Sequence, residues 1–151
     1  MGCGPSIYFN SNDYLTDRPS SNEGIYISRF NNYNLEQKDF IAKIGQEFQD
    51  NNYLIVNHFL ESKYYLLIEF VEYFGFRGDI ARNNKNMKII LSFYKSDYVE
   101  IPLSDLHKKK IVIWDCKIDL KYMEYLKYQD QIIKTIQSKF FKSYNGKTML
   151  W

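Results

Sequence analysis

Apolar residues alternate along most of this chain and cluster at helical spacing twice. Ile25 and Ile27 alternate with Tyr26 and Ser28, which predicts a strand over 25–30. Asn34 then opens a helix that runs through Gln49. Its side chain can accept from the amide of Gln37, and Gln37 can reach back, the reciprocal arrangement of a capping box. Phe40, Ile41, Ile44 and Phe48 fall on one side of that helix and predict its buried stripe. Asp50-Asn51-Asn52 ends it. Strands follow over 53–56 and 64–74, the second with Tyr64, Leu66, Ile68 and Phe70 on one face. Glu69 and Glu72 interrupt the other pattern, so the end of that strand is expected to be wet. Residues 75–86 read as a loop, and 87–95 as a strand with Met87, Ile89, Leu91 and Phe93 facing one way. Ser96-Asp97 predicts a hairpin turn returning over 98–101, where Pro102 stops it. A strand over 110–118 puts Val112, Trp114, Cys116 and Ile118 on one face. The last predicted element is a helix from about Tyr128, or already from Leu120, to Tyr144, with Ile132, Ile133, Ile136 and Phe140 as its stripe. Asn145-Gly146 reads as its stop.

The order β-α-β-β-(β-β)-β-α predicts an α/β (α+β) fold. It is expected to be a two-layer sandwich, with a mixed, largely antiparallel sheet carrying two helices on one face. Residues 1–23 are polar and rich in turn formers, although Ile7, Tyr8 and Phe9 have the makings of a short strand. They are expected to form a flexible N-terminal tether, with 24–151 as the single domain. Such a tether would span at most about 70 Å from Cys3 to Gly24.

Composition narrows the function more by exclusion than by assignment. The chain has 151 residues, the size of one domain. Lys+Arg 20 against Asp+Glu 18 gives a net charge of +2, without the basic excess of a nucleic-acid binder. Two Cys and two His leave too few ligands for a metal centre, and no cofactor is expected. His58 and His107 each lack a second ligand at metal spacing and read as solvated loop residues. Cys116 lies mid-strand among apolar neighbours and reads as a buried small hydrophobe rather than a nucleophile. Glu69 and Glu72 point to opposite faces of their strand, so they are not an acid–base pair. Neither a phosphate-binding glycine loop nor a Gly-x-Ser-x-Gly elbow is present. No catalytic residue is therefore expected. Arg77-Gly78-Asp79 matches a receptor-read tripeptide, but three residues match by chance, and Gly78 serves a turn. No apolar run is long enough to span a membrane, and no charged-then-apolar leader precedes the domain.

Cys3 is the candidate for an address. It follows a small residue and precedes a polar segment, as the lipidated Cys of a bacterial lipoprotein does. The same stretch, Met1-Gly2-Cys3-Gly4-Pro5-Ser6, also fits N-myristoylation at Gly2, and a free thiol is the third reading. Either lipid reading needs a second acyl chain for stable anchoring. The other candidate surface is aromatic. With 14 Tyr and 11 Phe, some rings are expected outside the core, and Tyr73, Phe74, Phe76, Tyr122 and Tyr125 are the candidate protein interface.

Three segments together carry a resemblance. They are Phe48-Gln49-Asp50-Asn51-Asn52-Tyr53 leading into Leu54-Ile55-Val56, then Ser62-Lys63-Tyr64-Tyr65, and the late Lys109-Lys110-Ile111-Val112-Ile113-Trp114. This arrangement resembles small Gram-negative cell-envelope lipoproteins of the DUF4136 or TraT type. Asn52 stands where those have Gly, and Ser62-Lys63 replaces an Asp-Ala step. The resemblance implies a non-enzymatic protein anchored through Cys3 in the cell envelope, on the periplasmic side of the outer membrane, with an unknown protein partner. The alternative is a small immunity-type protein that blocks a toxin.

Overall fold

The computed structural model describes residues 6–15, 18–74, 85–95 and 112–150. Among these, helix α1 (Leu35–Asp50) forms as its spacing dictates, with both halves of the Asn34–Gln37 capping box in place. Its stripe of Phe40, Ile41, Ile44 and Phe48 is buried. Asn52 takes φ 71, the left-handed conformation that Gly or Asn tolerates best. Asn therefore serves at the position where the resembling family carries Gly.

Seven strands form one sheet among the described residues. They are β1 (Ser6–Asp13), β2 (Gly24–Ile27), β3 (Leu54–Ile55), β4 (Tyr64–Phe74), β5 (Lys85–Lys95), β6 (Val112–Lys121) and β7 (Tyr144–Met149). Their order is β3-β2-β4-β5-β6-β1-β7. β2 runs parallel to both β3 and β4, and the other neighbours are antiparallel. Helices α2 (Tyr122–Lys127) and α3 (Gln129–Lys139) complete the second layer with α1. Their buried residues share one core with the inward faces of the sheet, centred on the fully buried Ile68, Leu91, Phe93, Trp114, Ile44 and Ile136. The expected α/β sandwich with a mixed, largely antiparallel sheet is the fold.

Gly24 is required by a close approach. A Cβ there would meet Val56 Cγ1 at 2.7 Å and the Glu61 carbonyl at 3.0 Å. Just beyond β2 the chain leaves the sheet, and Ser28 replaces a rung of the ladder. Its hydroxyl accepts from the Ile68 amide at 3.1 Å and bonds the Tyr33 hydroxyl, which donates on to the Ile68 carbonyl. A buried backbone pair is thus satisfied by two side chains.

The structure corrects the sequence expectations in three places. First, residues 6–13 are not tether. Tyr8 to Asp13 pair with Asp119 to Trp114, and Ser6 to Ser11 with Met149 to Tyr144, so β1 is an interior strand. Ile7 and Phe9 supply its apolar inward face, and Ser11 continues that face by donating to the Lys142 carbonyl at 2.8 Å. Second, the terminal helix is two short helices that meet at Tyr128, and it ends by Lys139. Phe141 takes φ 62, a strained conformation for a bulky residue. It is held there by Phe140 and Phe93, with ring centroids 4.0 and 5.7 Å away, and by the Arg18 guanidinium at 4.8 Å. Third, Asn145 and Gly146 are not a stop signal but lie inside β7, paired with Asn10 and Phe9. The predicted hairpin return over 98–101, His107 and Arg77-Gly78-Asp79 lie outside the described residues.

Candidate functional site

Among the described residues the sheet has one face under the helices and one face open. On the open face β4, β5, β6 and β1 present Glu69, Val71, Tyr73, Lys88, Lys117, Asp119, Tyr8 and Asn12. The charges there alternate in sign. Lys88 Nζ lies 3.8 Å from Asp119 Oδ1, and Asn12 and Tyr14 both donate to the Asp115 carboxylate, at 2.9 and 2.7 Å. At the β2 side of this face, Tyr65, Leu67 and Tyr94 form a second buried cluster with Tyr26, Phe30 and Phe59 against it. Tyr26 stacks on Tyr65 at 5.7 Å, and Phe59 meets both edge-on.

A cavity of about 500 Å³ lies on the helix side, between the chain leaving β2, the solvent-side flank of α1, and β3. Ile27, Ile41 and Ile55 make it apolar, Ala42 and Gly45 give it room, and Arg29 and Lys38 stand at it as cations. The Arg29 guanidinium donates to Asn57 Oδ1 at 2.9 Å. Among the described lining residues, the Ser28 hydroxyl is bonded to Tyr33 and Ile68. Sequence reading gave α1 only one functional stripe. Ala42, Gly45 and Gln49, at helical spacing on the neighbouring flank, were the signal for this second one.

The candidate aromatic interface does not assemble as one surface. Tyr73 is exposed on the open face, with its hydroxyl 3.5 Å from Asp119 Oδ1. Tyr122 lies on the helix side and donates to Glu36 Oε2 at 2.7 Å. The Lys85 ammonium sits 4.2 Å from the Tyr122 ring and pairs with Glu72 at 2.8 Å. That string of contacts ties α1, α2, β4 and β5 together. Tyr125 is a core residue, 1% exposed, packed on Phe40 and Phe70, and no partner can reach it. The reason is its phase on α2, which turns Tyr125 inward and leaves Met123 and Leu126 outside. Phe74 ends β4 in the backbone, while its side chain, together with Phe76 and Cys3, lies outside the described residues.

Among the described residues no group of His, Cys, Asp and Glu could hold a metal ion. Cys116 is fully buried, and burial pushes its thiol well above its usual range, so it is not a poised nucleophile. His58 is exposed ahead of a single 3₁₀ turn. The perturbed groups are tyrosines. Desolvation raises Tyr65, Tyr94 and Tyr125, and the bond to Glu36 pushes Tyr122 up to about 12. Their folded pKa values exceed the ordinary 10.0. The stabilisation of the neutral phenols is therefore complete below pH 10 and is lost as pH rises above it. Urea midpoints are expected to be flat with respect to these groups up to about pH 9.5 and to fall steeply beyond it. Tyrosinate absorbance of the buried rings should appear with unfolding and not before. Smooth titration of every tyrosine near its ordinary value in the folded protein would contradict this burial.

No family model matches the chain, and no curated protein sequence does. Solved structures do share its fold. A PDZ domain protein from Parabacteroides distasonis superposes with a TM-score of 0.59 at 8% identity over 95% of this chain. The chain spans 38% of that protein's length. A DUF4136 family protein from Bacteroides thetaiotaomicron gives 0.56 at 10% identity, covering 89% of this chain and 97% of the other. A PelC L103M dodecamer from Paraburkholderia phytofirmans gives 0.53 at 7% identity, covering 90% and 98%. At these identities the likeness is one of fold, and that fold, a mixed sheet with helices on one face, is shared over nearly the full length of both the DUF4136 and the PelC chains.

Proposed function

We propose that this chain is a non-enzymatic component of the bacterial cell envelope, anchored through lipid on Cys3 and working by binding protein. The observation that carries the reading is the end-to-end fold match to a DUF4136 family protein, the family type that the sequence itself resembles. The chemistry is consistent with it. Across the open face Asn12 and Tyr14 bond Asp115 and Lys88 lies near Asp119, and the cavity joins apolar side chains to Arg29 and Lys38. The PelC neighbour of the fold is a dodecamer.

The test is chemical. Mass spectrometry of the N-terminal peptide from the natural source is expected to find diacylglyceryl on Cys3. Cys3→Ser is expected to shift the domain from the membrane to the soluble fraction with an unchanged melting curve. Each buried CH₂ of an acyl chain contributes about 0.8 kcal/mol, so loss of the lipid removes the anchor outright. Myristate on Gly2 would reassign the lipid and the compartment. An unmodified thiol in a soluble protein would remove the anchored reading and leave the toxin-blocking alternative in front.

A further inference from the structure

Strand registers give the sheet two distinct ends. Ser6 of β1 lies level with Met149 of β7, with the last residues of β6, and with the start of β5. The N-terminus of α1 reaches the same end, because Glu36 bonds Tyr122, the residue after β6. The exposed apolar side chains Leu35, Met123, Leu126 and Met149 all belong to elements at this end. Met123 and Leu126 are three apart on α2 and so share a face. The acids here are Glu36, Glu72, Asp119, Glu124 and, near Tyr125, the exposed Asp39. Glu36 accepts from Tyr122, Glu72 pairs with Lys85, Asp119 lies near Lys88, and Glu124 accepts from the Lys121 amide. Lys121, Lys127 and Lys147 are exposed, and among the described residues none of them is paired with a carboxylate. This end therefore carries exposed apolar side chains among charges of both signs.

Cys3 stands three residues before Ser6, so it can be no more than about 11 Å from the start of β1. A lipid on Cys3 would hold this end of the sheet, and not a distant tether, against the bilayer. We infer that the end of the sheet where β1 begins is the membrane-facing end, with Leu35, Met123, Leu126 and Met149 seated in the headgroup boundary of the bilayer that holds the anchor. This rests on the anchoring at Cys3 proposed above. The apolar side chains replace water contact with acyl contact, and the exposed Lys121, Lys127 and Lys147 keep their ammonium groups at the level of the lipid headgroups. The opposite end, with Leu15, Leu54 and Leu60, then faces away and is left for a protein partner.

The experiment separates this inference from the anchor itself. Cys3 of the full chain is coupled to a maleimide lipid in vesicles of phosphatidylethanolamine and phosphatidylglycerol, and the buried Cys116 is spared. Natural lipidation is then irrelevant to the result. Hydroxyl-radical oxidation is read by peptide mass spectrometry, coupled against free protein. Oxidation of Leu35, Met123, Leu126 and Met149 is expected to drop by about fivefold, because the interface excludes water, while Leu15 and Leu60 are unchanged. The exposed double variant Met123→Asp/Leu126→Asp should restore oxidation at Leu35 and Met149. Equal oxidation at both ends, protection at Leu15 and Leu60 instead, or a double variant without effect would each overturn the inference. Protection of the same four side chains in free protein, growing with protein concentration, would assign the surface to a second copy and overturn it too.

Discussion

Ile44→Asp is expected to leave the chain largely unfolded at neutral pH. Ile44 is fully buried at the centre of the α1 stripe, in the core shared by the sheet and helices α1, α2 and α3. The substitution removes the packing of a whole side chain and places a carboxylate where no partner exists. Together these cost about 4 kcal/mol or more, against a total stability of about 5–15 kcal/mol. The carboxyl's pKa is raised by burial, so the defect grows as pH rises above about 4 and shrinks in acid. Ile44→Val at the same site should cost only about 1 kcal/mol. Lys38→Ala, on the exposed flank of the same helix, should stay within about 0.5 kcal/mol. Urea midpoints by circular dichroism give all three values. A cooperative transition for Ile44→Asp near the parent midpoint would mean that α1 is not docked on the sheet.

The same residues show why α1 was legible in the sequence. Its capping pair is local, and its stripe repeats at 3.6 residues, so nothing distant is needed to read it. The inward faces of β4, β5 and β6 were legible for a similar reason. Their buried side chains, such as Met87, Ile89, Leu91 and Phe93, are apolar at every second position. The exposed end of β4 was also readable, since Glu69 and Glu72 both lie in water. β7 was not legible. Tyr-Asn-Gly-Lys-Thr-Met carries no apolar alternation, and its strand state comes from pairing with β1 at the sheet edge. The end of α3 was equally hidden. Phe140 and Phe141 have no stop chemistry of their own, and their burial against Phe93 and Trp114 turns the chain. For the candidate surfaces, composition found the surplus of aromatics but not their facing. One turn of α2 decides that Tyr125 is core and Met123 is surface, and the helix start that fixes this phase is set by the end of β6.

Deletion of residues 1–13 is expected to abolish cooperative folding, the opposite of what a dispensable tether would show. β1 lies between β6 and β7, so its removal opens the β6 edge and leaves β7 with no strand to join. Ile7 and Phe9 leave the core with it, at about 2–4 kcal/mol each for side chains this buried. The Lys142 carbonyl just after α3 accepts from both the Ser11 hydroxyl, at 2.8 Å, and the Trp114 indole, at 3.1 Å. Without Ser11 the turn into β7 keeps only half of that hold. The sum is comparable with the whole stability of a domain, so a soluble, two-state truncated protein is not expected. Phe9→Ala in the full chain is the milder companion, expected to lower the urea midpoint by about 3–4 kcal/mol of stability while the protein still folds. Hydrogen exchange on the full chain gives the independent check. The amides of β1 that pair with β6 and β7 should be protected to the level of global unfolding. If residues 6–13 instead exchange at random-coil rates, and the truncated chain melts with the parent midpoint, β1 is not part of the cooperative unit. Its short link to Cys3 would then set no orientation at a membrane, because the sheet could swing away from its anchor.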